Sequence, residues 1–185
     1  MTRSRDDEPI WEVTESRTLI DSPWLGVEAQ TCKLPSGKII SPFYVVRQPN
    51  WVLILAQNIT GEWILGRQYR HGMQRWFLEF PAGIIDAGED PVVAAKRELL
   101  EESGFGGGSW EALQTYSVNP DRQNAQFHII LARGVTLQGA TDFDDCEDIR
   151  QHRFATSEID ALIQNGGIEH PHHILAWTLN RAKLA

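Results

Sequence analysis

The 23 residues from Gly83 to Phe105 constrain this chain more than any others. Asp90 is a good N-cap, and Pro91 stands at the first helical position, where a missing N–H leaves no bond unmade. Gly104 suits the left-handed residue that closes a helix. A glycine-bearing loop is therefore followed by a helix and a glycine stop. At about 100° per residue, Glu98 and Glu102 lie about 40° apart, one turn from each other, with Glu101 flanking them. Val92, Ala95, Leu99 and Leu100 fall on a different, apolar arc. One face is expected to enter a core while another presents carboxylates. Acidic helix faces are ordinarily just solvated. Acids grouped on one arc nevertheless repel unless a positive charge sits among them. Mg²⁺ or Mn²⁺ answers that need, because hard cations take carboxylate oxygens.

The same stretch carries the pattern Gly-x5-Glu-x7-Arg-Glu-apolar-x-Glu-Glu-x-Gly-apolar. Here it is filled by Gly83, Glu89, Arg97, Glu98, Leu99, Glu101, Glu102, Gly104 and Phe105. This resembles the Nudix hydrolases, which use divalent metal to cleave nucleoside diphosphates linked to another group. Outside that box, Arg67-Gln-Tyr-Arg-His71 and Glu79-Phe-Pro-Ala-Gly83 resemble segments of ADP-ribose and nucleotide-sugar pyrophosphatases, in the same order. The resemblance implies an α+β fold: an α/β/α sandwich on a mixed central sheet, preceded by a β-rich subdomain. Residues 1–48 are expected to form that N-terminal part, serving a homodimer and substrate contacts, and residues 49–185 the catalytic domain.

The resemblance also distributes roles. Glu98 and Glu102 become metal ligands, together with the backbone carbonyl of Ala82. Glu101 assists the chemistry. A loop acid before the last strand supplies the general base or a further ligand; Glu147 is the first choice, with Asp145 and Asp144 as alternates. Arg70 matches a pyrophosphate-binding position, where an arginine fork suits paired phosphate oxygens. It stands equally well as the partner of an acid such as Glu79. Arg97 can pair with Glu101 four residues on and reach back to Glu89, which makes it an orienting group for the carboxylates. Gly83, Glu89, Arg97 and Gly104 are thus structural members of the motif. The reaction implied is hydrolysis of a pyrophosphate bond, of ADP-ribose to AMP and ribose 5-phosphate in the nearest subfamily; the alternatives are another nucleotide sugar, a dinucleoside polyphosphate or a damaged nucleoside triphosphate as substrate, or a non-catalytic nucleotide-sugar sensor.

The rest of the sequence fits a small-molecule enzyme. The 185 residues are 42% hydrophobic, enough for one cored domain with an extra subdomain. A net charge of −8 and the lack of a Lys/Arg run argue against nucleic acid as a partner. Cys32 and Cys146 are far apart and match no zinc or disulfide pattern. The first residues offer no apolar stretch for a signal peptide, and the longest apolar run, Trp51 to Ala56, is too short to span a membrane. A cytoplasmic location is expected. That run instead reads as a buried central strand. Candidate strands precede it at Ile10–Val13, Arg17–Asp21, Trp24–Lys33 and Lys38–Val46. Further strands are expected at Glu62–Tyr69, Trp110–Val118, Ala125–Ala132 and Ile149–Phe154, with a loop over Gly134–Asp142. Thr156 or Ser157 should cap a helix over Glu158–Gln164, and a last helix should run over His172–Lys183.

Substrate contacts are harder to place. Aromatic stacking ordinarily holds a base, and Trp24, Phe43 and Trp51 are available, with Trp51 better suited to a strand core. Arg122 lies in the polar turn Asn119-Pro-Asp-Arg-Gln-Asn124, where the pyrophosphatases commonly carry a small glycine-bearing sequence. It either meets a phosphate or sugar or simply faces solvent. His170-Pro-His-His173 looks like a metal cluster, but its proline and lack of a helically spaced acid favour a helix start.

Overall fold

The computed structural model describes residues 9–143 and 148–184. The chain falls into two units: Met1–Pro49 with Ser117–Ala125, and Asn50–Tyr116 with Gln126–Ala185. The first unit is a three-stranded antiparallel sheet of β1 (Glu12–Asp21), β2 (Gly26–Lys33) and β3 (Ile39–Arg47) in that order. Strand β1 is continuous where the sequence suggested two pieces. Its register shifts between Val13 and Glu15 and between Thr18 and Ile20, and its side chains are all exposed. Polar residues between the two apolar patches therefore cost nothing to include. The returning segment Ser117–Ala125 meets β3 through Val46, whose N–H donates to the Arg122 carbonyl at 2.7 Å.

The second unit is built on β4 (Trp51–Asn58), buried along most of its length. Next come β5 (Trp63–Arg70), β6 (Arg75–Glu79) and β7 (Ala82–Ile84), then helix α1 (Pro91–Ser103) and the short β8 (Phe105–Gly106). The chain ends with β9 (Ser109–Ser117), β10 (Gln126–Leu137), β11 (Ile149–Phe154), α2 (Thr156–Gln164) and α3 (Pro171–Asn180). The sheet runs β11-β5-β4-β10-β8, with β6 and β7 paired to β5 and β4. Strands β4 and β10 are parallel while β4 and β5 are antiparallel, so the sheet is mixed.

The unbroken apolar run of β4 is explained by cover on both faces. Val52, Ile54 and Ala56 join Ala94, Ala95 and Leu99 of α1 in one core, with Ile64 and Ile130. On the other face Trp51 meets His172 edge-on, and Trp63 meets Trp177 of α3 at 5.0 Å. Strand β10 continues to Leu137, through half of the expected loop, because Thr136 and Leu137 pair with β8. Helix α2 begins without a side-chain acceptor on its N-cap residue, Ala155. Its first turn is closed instead by Glu158, whose carboxylate accepts the Ala155 N–H at 2.6 Å. Thr156 is engaged elsewhere, as acceptor for the Trp63 indole N–H.

Candidate active site

Helix α1 starts and stops where its sequence dictates. Asp90 Oδ1 accepts the N–H groups of Val92 and Val93 at 2.8 and 3.3 Å, and Gly104 sits at φ 70°. Its expected apolar arc enters the core at Ala95 and Leu99, with Val92 packed against it, but not at Leu100. Leu100 is 42% exposed, while Glu98 and Glu102 are buried alongside Ala94, Ala95, Leu99 and Ser103. The carboxylates face strand β7 instead of water. The Ala82 N–H donates to Glu102 Oε2 at 3.3 Å. Glu98 lies directly over Gly83, so closely that a Cβ there would fall 1.9 Å from its carboxyl carbon.

Arg97 organises this cluster with all five of its N–H donors. Its Nε and Nη2 hold Glu89 at 3.2 and 3.0 Å, and Nη2 also reaches the Ile84 carbonyl at 3.0 Å. Its Nη1 holds Glu98 at 2.7 Å and Glu101 at 3.1 Å. The loop between β7 and α1 is thereby pinned to the helix. Glu89 closes the loop from the other side by accepting the Asp86 N–H at 3.1 Å. The Arg97 hydrogen bonds, then the Asp86 N–H, hold the Glu89 carboxyl below the usual range. A depressed carboxyl stabilises the fold above its unfolded value, and that stability is lost as pH falls through the folded one.

Arg97→Met should expose how much of this is electrostatic. Removing a guanidinium from buried carboxylates costs several kcal/mol when fully enclosed. Arg97 is 32% exposed, which brings the expectation down to about 2 kcal/mol, or about 4–8 °C of melting temperature. The loss should be largest in EDTA and partly recovered in Mg²⁺. Equal melting of variant and wild type in EDTA would show that the network adds no stability.

Arg70, Glu79, Ala82 and Glu102 line one cleft, together with Gly66, Gln68 and Ile149. Arg70 does pair with Glu79, through Nε at 2.9 Å and through Nη2. Glu79 is 3% exposed; the pair fixes the arginine at the cleft wall. Trp24 is 71% exposed in the turn between β1 and β2, outside any strand. Arg122 is exposed in the first unit and lies over the Phe43 ring at 5.4 Å. Trp51 stacks on Phe127 at 5.0 Å within the second unit. Asp144, Asp145 and Glu147 lie outside the described residues.

Around one guanidinium, then, α1 and its loop gather Glu89, Glu98 and Glu101, and Glu102 is held at the Ala82 N–H. The donor set is all oxygen and carries excess negative charge, with Glu98 and Glu102 buried against a backbone corner. This fits a hard divalent cation. The sequence reading missed one part of this unit, a group of the buried Glu79 and His173 with the half-buried His170 that precedes α3. The signal was there, since His173 precedes Ala176 and Trp177 by three and four residues, on the face that α3 buries.

A NUDIX domain model matches residues 46–176, more than half of the chain. The chain belongs to the Nudix family. Ahead of this Nudix domain, residues 11–46 match the nucleoside diphosphate sugar hydrolase N-terminal domain. The chain is 39% identical over 144 residues to the ADP-sugar pyrophosphatase of Mus musculus, covering 77% of this chain and 61% of that protein. It is 29% identical over 157 residues to a CMP-5'-(N-acetyl-N-hydroxy-3-aminopropyl)phosphonate hydrolase of Streptomyces rubellomurinus, covering 84% of this chain and 75% of that protein. Several curated relatives are longer, the chain spanning 61 to 65% of their length. A solved structure of an ADP compounds hydrolase superposes with a TM-score of 0.83 at 25% identity, covering 94% of each chain. This Nudix chain has no helix, among the described residues, long and apolar enough to cross a membrane.

Proposed function

We propose that this chain hydrolyses the pyrophosphate of a nucleoside diphosphate-linked sugar with the help of Mg²⁺ or Mn²⁺, and that ADP-ribose, giving AMP and ribose 5-phosphate, is the foremost substrate. The observation that carries this is the burial of Glu98 and Glu102 on α1 against the backbone of Ala82 and Gly83. Glu98, Glu102 and the Ala82 carbonyl would hold the metal, with Glu101 beside them. When bound, such a cation polarises phosphate oxygens and acidifies water. Arg97 keeps Glu98 and Glu101 in place by charge and direct hydrogen bonds, and the Ala82 N–H holds Glu102. Arg70, fixed by Glu79 on the wall of the cleft, clamps phosphate oxygens as the pyrophosphate is cut. Glu147 takes the proton from the attacking water, with Asp145 and Asp144 as alternates. Trp24 and Arg122 serve the base and the distal part of the substrate.

The exposed edge strand β1, with Val13 and Ile20 about half exposed and Trp11 just ahead of it, favours a homodimer formed through the N-terminal sheet. The molecule is assigned to the cytoplasm, with a small nucleotide rather than nucleic acid or membrane as its partner. The Streptomyces relative's name favours keeping a second substrate class in view, a CMP-linked phosphonate. A hydrolysis screen separates the readings. With Mg²⁺ or Mn²⁺, ADP-ribose should be cleaved faster than GDP-mannose, NADH, diadenosine polyphosphates, 8-oxo-dGTP or a CMP-linked phosphonate. Preference for the CMP-linked phosphonate would replace the substrate, and inactivity on all of them would overturn the reading of an enzyme.

A further inference from the structure

Glu79, His170 and His173 each bring one potential ligand atom within 4.8 Å of the others. Glu79 Oε1 and His170 Nδ1 are buried without a hydrogen-bond partner. By distance alone the group resembles a second metal centre. The tautomer of His173 decides otherwise. Its Nδ1 accepts the backbone N–H of Phe80 at 3.0 Å, in a buried setting. A ring nitrogen that accepts a hydrogen bond carries no proton, so the neutral ring bears its proton on Nε2. Burial, reinforced by His170 and Arg70, pushes this histidine well below its ordinary range and keeps it neutral. One nitrogen is then engaged by Phe80 and the other is protonated. Neither offers a lone pair to an ion.

What the hydrogen bond does is set by where Phe80 lies. Strand β6 ends at Glu79 and pairs with β5, whereas β7 begins at Ala82 and pairs with β4. Phe80 and Pro81 carry the chain across between them. Pro81 has no N–H, and its carbonyl accepts from Ile54 at 2.9 Å. The Ala82 N–H goes to Glu102. That leaves the Phe80 N–H as the donor of the crossing that no strand takes, and a buried N–H left unmet is costly. His173 meets it while its ring lies nearly parallel to the Phe80 ring, at 11° and 6.2 Å. Trp177, one turn on, stacks on the same ring at 5.6 Å.

We propose that His173 is a positioning residue for the metal-binding corner. By holding Phe80 it sets where Glu79 presents its carboxylate to Arg70 and where the Ala82 backbone stands beside Glu102. This rests on the reading of Glu98, Glu102 and Ala82 as the metal site. The test compares two variants. His173→Phe keeps the ring stack and removes the acceptor, whereas His173→Asn can put Oδ1 where Nδ1 stood. His173→Phe should lower kcat about 10- to 100-fold and raise the Mg²⁺ concentration for half-maximal rate about tenfold, with little change in the substrate KM. The Phe80 amide should also exchange faster with solvent, measured without substrate. His173→Asn should restore most of kcat and the Mg²⁺ dependence.

Wild-type kinetics in His173→Phe would overturn the proposal, as would equal losses in both variants, which would mean packing alone. If His173→Phe does not fold, His173→Asn decides: near-normal kinetics support the proposal, and a folded but impaired variant sinks it. Metal analysis of the wild type adds a further arm. One equivalent of transition metal that survives dialysis and disappears in His173→Asn would make His173 a ligand and overturn the proposal. Normal rates in His173→Phe beside a dead Glu102→Gln would fail this inference alone. An active Glu102→Gln would fail the metal site on which it rests.

Discussion

Glu102→Gln is expected to lower kcat about a thousandfold while leaving the protein folded. The two side chains have the same shape, and the amide oxygen can still accept the Ala82 N–H that Glu102 Oε2 now accepts. What is lost is one negative charge in the buried cluster. That loss should show in melting experiments with a definite sign. Without metal, Arg97 bonds Glu98 and Glu101, while Glu102 adds a further negative charge one turn from Glu98, so removing it relieves repulsion. The variant in EDTA should melt at the wild-type temperature or above it. Added Mg²⁺ should raise the wild-type melting temperature through binding to the folded state. It should do so much less for the variant. A variant that keeps near-normal turnover would sink the metal site proposed here. One that melts lower in EDTA would show that Glu102 holds the fold by its charge.

Much of the fold was legible because it follows local rules. The run Trp51–Ala56 is apolar without alternation, and β4 has cores on both faces. The cap at Asp90 and the stop at Gly104 were read from two residues and stand as read. Strand β1 was harder, since pairing with β2 uses backbone groups and none of its side chains is buried. A strand with no buried face leaves no alternating pattern to read. Leu100 misled for the opposite reason. Hydrophobicity placed it inside, yet it is 42% exposed, while Glu98 and Glu102 on the opposite side of α1 are buried. Periodicity cannot anticipate that a helix buries charge.

The site divides along the same line. Arg97 with Glu89 and Glu101 follows from spacing along a helix and its preceding loop. Its contact with Glu98 does not, because adjacent residues on a helix do not face each other. The guanidinium nevertheless reaches Glu98 at 2.7 Å. The burial of His173 could be read from its spacing, but the hydrogen bond it makes was beyond sequence reasoning. To expect it, one must know that a backbone N–H 93 residues earlier lacks a strand partner.

Gly83→Ala should disable the enzyme without unfolding it. Gly83 is not among the glycines with positive φ; its backbone is one that alanine adopts freely, so the reason for glycine here is space. An added methyl would stand 1.9 Å from the Glu98 carboxyl carbon and 2.1 and 2.3 Å from its oxygens. No side chain tolerates such contacts, but the obstructed atoms are the end of a flexible chain. Rotation of Glu98 out of the corner is therefore cheaper than moving strand β7, which is held to Leu53 and Val52 of β4 by backbone pairing. Once displaced, Glu98 loses its place beside Arg97 as well as its place in the metal site. The expected result is a drop of about a hundredfold in kcat/KM at fixed Mg²⁺, part of it recovered at high Mg²⁺. If displacement of Glu98 is the whole effect, Gly83→Ala and Glu98→Ala act through one event. Their combination should then be no worse than Glu98→Ala alone, a strongly non-additive pair. Additive losses would mean that the methyl group also disturbs Ala82 or Glu102, and that the backbone, not the carboxylate, gives way.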